Sequence, residues 1–190
     1  MPGREFAVWA TGFIWLAAVV TGFWFWERYD STPGGTGETA LAAVATAGDR
    51  WRLTVFVHPR CPCTRATLCE VAGLATARPE LAVRVWIVCP PNSPDGWDRG
   101  EVGDLARHIS GADVARDTDG AEALRFGART SGHTVLATPG GAIVFSGGVT
   151  AARGRTGENV GLGAVRAWLE GRTGAAGAPV FGCDLFTPGD

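Results

Sequence analysis

The chain has 190 residues, 17 Lys and Arg against 19 Asp and Glu, a net charge of −2, and 46% hydrophobic residues. That length holds one globular domain of ordinary size plus an appendage, with enough apolar content for a core. The basic residues are scattered rather than gathered in a stripe, which argues against nucleic-acid binding. The cysteines, Cys61, Cys63, Cys69, Cys89 and Cys183, are odd in number and too sparse for a small disulfide scaffold.

The first element in chain order is Phe6 to Trp26, FAVWATGFIWLAAVVTGFWFW, which carries no charge. At helical rise it spans the roughly 30 Å hydrocarbon core of a bilayer, so a transmembrane helix is predicted. Trp24 and Trp26, followed by Glu27, Arg28 and Tyr29, form an interfacial aromatic belt. Bulky aromatics also stand where a signal peptidase would need small residues, so an uncleaved anchor over residues 1–28 is expected. Arg4, before the helix, favours an inside N-terminus and a single-pass protein of the cell membrane with its domain on the periplasmic side. Residues 29–39 are rich in Gly, Pro and Thr and read as a flexible linker; residues 40–190 are left for the domain and its C-terminal tail.

Within that domain, LTVFVH (Leu53 to His58) reads as a strand ended by Pro59. Thr64 to Ala77 has helical spacing at Leu68, Val71 and Ala75, and LAVRVWIV (Leu81 to Val88) is a strand apolar enough to be buried on both faces. Strand, helix, strand in this order is a βαβ unit. Helices are expected at Glu101 to Ser110 and Ala121 to Phe126, with a short strand between them at Ala112 to Ala115. Thr134 to Ala137 and Ala142 to Ser146, joined through Thr-Pro-Gly-Gly, read as an antiparallel hairpin. Val160 to Glu170 is the last helix. The glycine-rich stretch from Ser146 to Gly161 reads as a solvated connection, or as a loop folded over the functional edge.

Chemistry concentrates at Cys61-Pro62-Cys63, between the first strand of the βαβ unit and its helix. Pro62 suits a first helical position and pushes Cys61 toward extended geometry, which makes Cys61 the expected N-cap. A sulfur there faces unsatisfied N–H groups and the positive end of the helix dipole, which favour thiolate, and Arg60 adds to this. A Cys61–Cys63 disulfide requires the chain to bend and is strained, hence oxidising; alternatively Cys61 reacts alone and another cysteine resolves the mixed disulfide. Cys89, at the same sheet edge, reads first as a core cysteine and second as a resolving thiol; Cys183, in a tail with no evident packing role, is the other candidate. Cys69 reads as core. His58, before Pro59, is a supporting residue or a plain strand end.

FVHPRCPCTRA resembles the strand-to-active-site-helix segment of the thioredoxin-like superfamily, including membrane-anchored thiol reductases of the ResA and TlpA type. DTDGAEALRFGARTSGHTVLATPGGAIVFSGG is similar to a longer stretch of the same proteins, and HPRCPC, TSGHTVL, FSGGVTAARGRTGENVG and VFGC together resemble RedB-type bacterial proteins. The resemblance implies an α/β, thioredoxin-like fold, a mixed central sheet flanked by helices. It also implies a thiol-disulfide oxidoreductase that needs no cofactor and whose partners are protein thiols or disulfides, or a redox partner. Relatives carry Cys-x-x-Cys, against Cys-x-Cys here, and a cis-proline where this chain has Gly132, with His133 beside it. That places His133 near the thiols, as a base or proton shuttle, or with Cys61 and Cys63 as a ligand set for copper in a metal-binding protein of the same fold. A non-catalytic thioredoxin-like module is the third expectation.

Overall fold

A computed structural model describes residues 2–37 and 48–187 and divides into two compact units, up to Thr32 and from Pro33 onward. The first is helix α1 (Pro2–Asp30). From Gly3 to Asp30 it is long and apolar enough to cross a membrane. Phe6, Trp9, Phe13, Trp15 and Phe23 are exposed around it, and a helix apolar on every side has no water-facing stripe. Anchors and signal sequences share these properties.

The second unit is built on a six-stranded sheet of order β3-β2-β1-β4-β5-β6. Strand β1 (Arg52–Val57) leads through the cysteine motif into α2 (Thr64–Ala77), and β2 (Ala82–Cys89) returns parallel to β1. After α3 (Glu101–Arg107), β3 (Ala112–Thr118) adds parallel to β2 at the edge. It runs three residues further than Ala112 to Ala115 because its polar residues continue the ladder as far as Cys89–Thr118. Short α4 (Ala121–Arg125) follows, and then β4 (His133–Ala137) and β5 (Ile143–Gly147) form the predicted hairpin, antiparallel to β1 on its other side. Helix α5 (Val160–Leu169) is capped by Asn159, whose Oδ1 accepts from Leu162 N. A two-residue strand, β6 (Gly177–Ala178), which local pattern did not announce, closes the sheet.

Alternation along β1 sorts two cores onto two faces. Leu53, Val55 and Val57 pack with Leu68, Val71 and Leu74 of α2 and with Leu162 and Val165 of α5. Phe56 packs on the other face with Val135, Ala123, Phe126 and Leu185 of the C-terminal tail. Burying each such side chain contributes about 1.5–3 kcal/mol. Cys69 is exposed rather than in the core, because at about 100° per residue it lies on the side of α2 away from Leu68, Val71 and Ala75. The compact unit begins ahead of Ala40: Gly34 N donates to Val180 O (2.8 Å), Thr130 Oγ1 to Gly35 O (2.7 Å) and Gly37 N to Gly127 O (2.9 Å). The segment from Pro33 to Gly37, a tether by composition, thus has defined partners on the domain, while 38–47 lie outside the described residues.

Candidate active site

The βαβ unit carries Cys61 to the end of β1, where the chain turns into α2. The helix starts later than expected, since Cys63 and not Cys61 is its N-cap, with helical φ −66° and ψ −24° and no side-chain cap. The entry turn is wound tightly, with Thr64 N donating to Cys61 O (3.2 Å), Arg65 N to Pro62 O (3.4 Å) and Ala66 N to Cys63 O (3.2 Å), a 3₁₀ pattern that moves the boundary by two residues. The surroundings of Cys61 differ from those a helix N-cap would give it, because the C-terminal tail supplies a donor and Arg60 stacks on Trp97 instead. Cys61 is 1% exposed, and its sulfur accepts from Cys183 N at 3.4 Å.

Further donors converge on the same sulfur. The Cys183 thiol, the Thr64 hydroxyl and the Cys63 N–H all hold Cys61 as a thiolate, and against the opposing effect of burial they bring its pKa down to about 5. Hydrogen bonds to the charged form stabilise it directly, each by about 1.5–3 kcal/mol. Thr64 is itself held in place: its Oγ1 lies 2.7 Å from Ser131 Oγ, and Ser131 Oγ accepts from His58 N at 2.8 Å. His58 N, Ser131 and Thr64 thus form one hydrogen-bonded row leading to the turn that carries Cys61, and such rows polarise one another. Thr64 and Ser131, both buried, are site residues that the sequence does not single out, because a Ser or Thr hydroxyl carries no pattern of its own.

The segment facing Cys61 is Ser131-Gly132-His133. Gly132 has φ +92°, and a Cβ there would meet Thr67 Oγ1 at 2.7 Å. Its N–H donates to Phe56 O at 2.8 Å, a bond proline cannot make, so the missing proline is replaced by a backbone that needs glycine. The C-terminal tail pairs with the residues just before it. Thr130 and Asp184 form an antiparallel bridge, Ser131 N donates to Cys183 O (2.8 Å) and Leu185 N to Arg129 O (2.8 Å). Gly182 lies so close that a Cβ would stand 2.0 Å from Ser131 O. Arg153, in the glycine-rich loop, donates to Gly182 O, so that loop reaches the tail at the functional edge.

His58 and His133 lie in different surroundings. His133 pairs with Phe56 in the β1–β4 register, which turns its ring to the face opposite α2, 6.5 Å from the Phe56 ring. There Nε2 bonds Ser146 Oγ at 2.8 Å, Nδ1 has no partner, and burial lowers the pKa to about 4. The described neighbours of His133 are Phe56 and Ser146, not the cysteine motif, and among the described residues no three His, Cys, Asp or Glu side chains converge as a metal site. The histidine beside the thiol is His58, stacked edge-on against Trp97 at 5.4 Å. Its Nδ1 accepts from Arg60 N (3.2 Å) and its Nε2 lies 3.3 Å from Thr187 O, one neutral tautomer serving both. Burial lowers its pKa while the Cys61 charge opposes this. Arg60 stacks on Trp97, 4.2 Å from the ring centroid, and Pro62 is exposed.

Of the two resolving candidates, Cys89 is buried in β2 with its sulfur on Ile87 O at 3.6 Å, and burial pushes its pKa up; it behaves as a core thiol. Cys183 is the one brought to Cys61. Its own pKa is raised, first by the hydrogen bond it gives Cys61 and then by burial and the charges of Cys61 and Cys63. A cavity of about 430 Å³ lined by Arg52, Arg84, Trp86, Arg125 and Phe126 opens at the other end of the strands and contains no cysteine.

A strand entering the cysteine motif, a helix leaving it, a parallel strand on one side and an antiparallel hairpin on the other complete the arrangement that the sequence resemblance implied. The domain has a thioredoxin-like fold. No protein-family model and no curated protein matches the chain. Among solved structures it is similar to a hypothetical protein from Sinorhizobium meliloti, at 22% identity and TM-score 0.59 over 85% of this chain and 100% of that one. An uncharacterized conserved protein from Geobacillus kaustophilus matches at 15% identity and TM-score 0.58, over 85% of this chain and 92% of that one. A secreted Mycobacterium tuberculosis disulfide oxidoreductase is similar at 17% identity and TM-score 0.40, over 52% of this chain and 69% of that one, a likeness too slight to bear on chemistry. The thioredoxin-like fold hosts several activities, so function has to be argued from the thiols.

Proposed function

We propose that the chain is a membrane-tethered thiol-disulfide oxidoreductase working outside the cytoplasm, with Cys61 of the Cys61-Pro62-Cys63 motif as its nucleophile. The observation that carries this reading is Cys61 itself, buried at the end of β1, with Cys183 N donating to its sulfur at 3.4 Å, and hydrogen bonding from Cys183 and Thr64 lowers its pKa. A thiolate attacks a disulfide sulfur, and a thiol is inert by comparison. The thiols carry the electrons without a cofactor, and the partners are protein thiols or disulfides. Helix α1 acts as the anchor rather than a cleaved leader, because bulky Trp24, Phe25 and Trp26 follow its apolar stretch. Two of the four segments that resemble RedB-type proteins, HPRCPC and VFGC, meet at Cys61 and Cys183.

The test is reduction of a protein disulfide by the full chain in detergent, with a dithiol as terminal reductant. Cys61→Ser should lower the rate at least ~100-fold, since the remaining hydroxyl cannot form the mixed disulfide. Equal rates in wild type and Cys61→Ser would end the reading.

A further inference from the structure

We infer that Cys183 is the resolving thiol of this site, so that the working disulfide joins Cys61 to Cys183 and not to Cys63. The inference rests on the thiol-exchange reading and names its second sulfur.

Three observations carry it. The fold itself brings Cys183 to Cys61 across 122 residues of chain: the Cys183 N–H sits 3.4 Å from Cys61 Sγ, the Cys183 carbonyl is held by Ser131 N, and Leu185 is tied to Arg129 and buried in the second core. Cys63, by contrast, is poorly placed despite its nearness in sequence. Its backbone is helical and its N–H already serves Cys61, and side chains two apart in a helical turn do not face each other. Bridging them would break the entry turn closed by the Thr64 and Ala66 amides. The other two cysteines are out of range of the task, Cys89 bonded to Ile87 O within β2 and Cys69 exposed on the outer side of α2.

The placement also gives an order of events. With Cys61 1% exposed, a substrate disulfide R–S–S–R′ reaches it only when Cys183 swings aside with its part of the tail. The Cys61 thiolate then attacks one sulfur, the R–S–S–R′ bond breaks, R′S⁻ leaves, and Cys61–S–S–R remains. Once Cys61 is bonded, the charge and hydrogen bond that held the Cys183 proton are gone. Cys183 then gives that proton to the departing thiolate and attacks Cys61 Sγ, which releases RS⁻ and leaves the Cys61–Cys183 disulfide. Two protein thiols are oxidised for one substrate disulfide reduced, and a dithiol reductant reverses the exchange.

The experiment oxidises the reduced full-length chain with 2-hydroxyethyl disulfide, quenches by acid and alkylation, and maps tryptic peptides. The expected product links the Cys61–Arg65 peptide to the Thr173–Asp190 peptide, in wild type and equally in Cys63→Ser. In Cys183→Ser the mixed disulfide on Cys61 should live at least tenfold longer than in wild type. A bridge within the Cys61–Arg65 peptide with Cys183 alkylated, or trapping by Cys63→Ser and not by Cys183→Ser, would overturn the inference while leaving thiol exchange standing. Absence of any mixed disulfide on Cys61 in all three proteins would overturn both. Should Cys183→Ser fail to fold, the link found in Cys63→Ser decides alone.

Discussion

The reactivity of Cys61 is the product of a few hydrogen bonds. A proline-led turn presents its sulfur to the Cys63 N–H, and the Ser131–Thr64 pair aims a hydroxyl at it. Removing that hydroxyl by Thr64→Val should raise the Cys61 pKa by about one to two units, the equivalent of one hydrogen bond to a charged group. Titration of thiolate ultraviolet absorbance in a variant whose other cysteines are serine would read it, and an unchanged pKa would remove Thr64 from the site. His133→Ala should leave that titration in place while lowering stability by about 0.5–3 kcal/mol, because the ring is packed against Phe56 and Ser146 behind the sheet. The Cys61-Pro62-Cys63 motif is legible in sequence because it is local, whereas the strongest cause of the depressed thiol, Cys183, is not, since it comes from 122 residues along the chain. Nor is the face His133 takes, since a strand residue points to one side or the other according to its register with a distant strand, here Phe56.

Elements declared themselves in sequence where their pattern was local. The βαβ unit, the hairpin and the last helix all follow from periodicity and turn residues within a few positions. The tail did not: VFGCDLF has a glycine in the middle and no period, and its order comes from Arg129 and Ser131, some fifty residues earlier. Its role can be tested at Gly182, where any side chain would collide with Ser131 O. Gly182→Val should push the tail off the edge, withdraw the Cys183 donors and return the Cys61 pKa toward the ordinary thiol value of about 8.5. It should also expose Cys61 to alkylation in the native state. A native-like thiolate titration in Gly182→Val would mean that the tail is not what holds the charge.

At the scale of the whole molecule, the same groups set how stability depends on pH. Cys61 has its pKa lowered to about 5 and His133 to about 4, and His58 is lowered too. Unfolded thiols and imidazoles titrate near 8.5 and 6.5. From about pH 4 to 6.5 the unfolded chain binds histidine protons that the native chain does not, and from about pH 5 to 8.5 it binds a Cys61 proton that the native chain does not, so reduced-protein stability rises with pH across both windows. Cys183, shifted upward, reverses the trend above that range. Denaturant unfolding of the domain unit should therefore show the reduced form gaining stability between about pH 6.5 and 8.5, with the disulfide form nearly flat there because Cys61 no longer titrates. Cys61 is a poised thiolate used for disulfide exchange. This is tested most directly by the pH dependence of mixed-disulfide formation at Cys61 with 2-hydroxyethyl disulfide, resolved by peptide mass spectrometry with exposed Cys69 as internal reference. Closure by the tail scales the rate at every pH alike, so the profile still reports the resting thiolate. The account predicts a Cys61 rate that is half-maximal near pH 5 and level from about pH 6 to 8, while Cys69 climbs toward the free-thiol range. A Cys61 rate that climbs in parallel with Cys69 would contradict it.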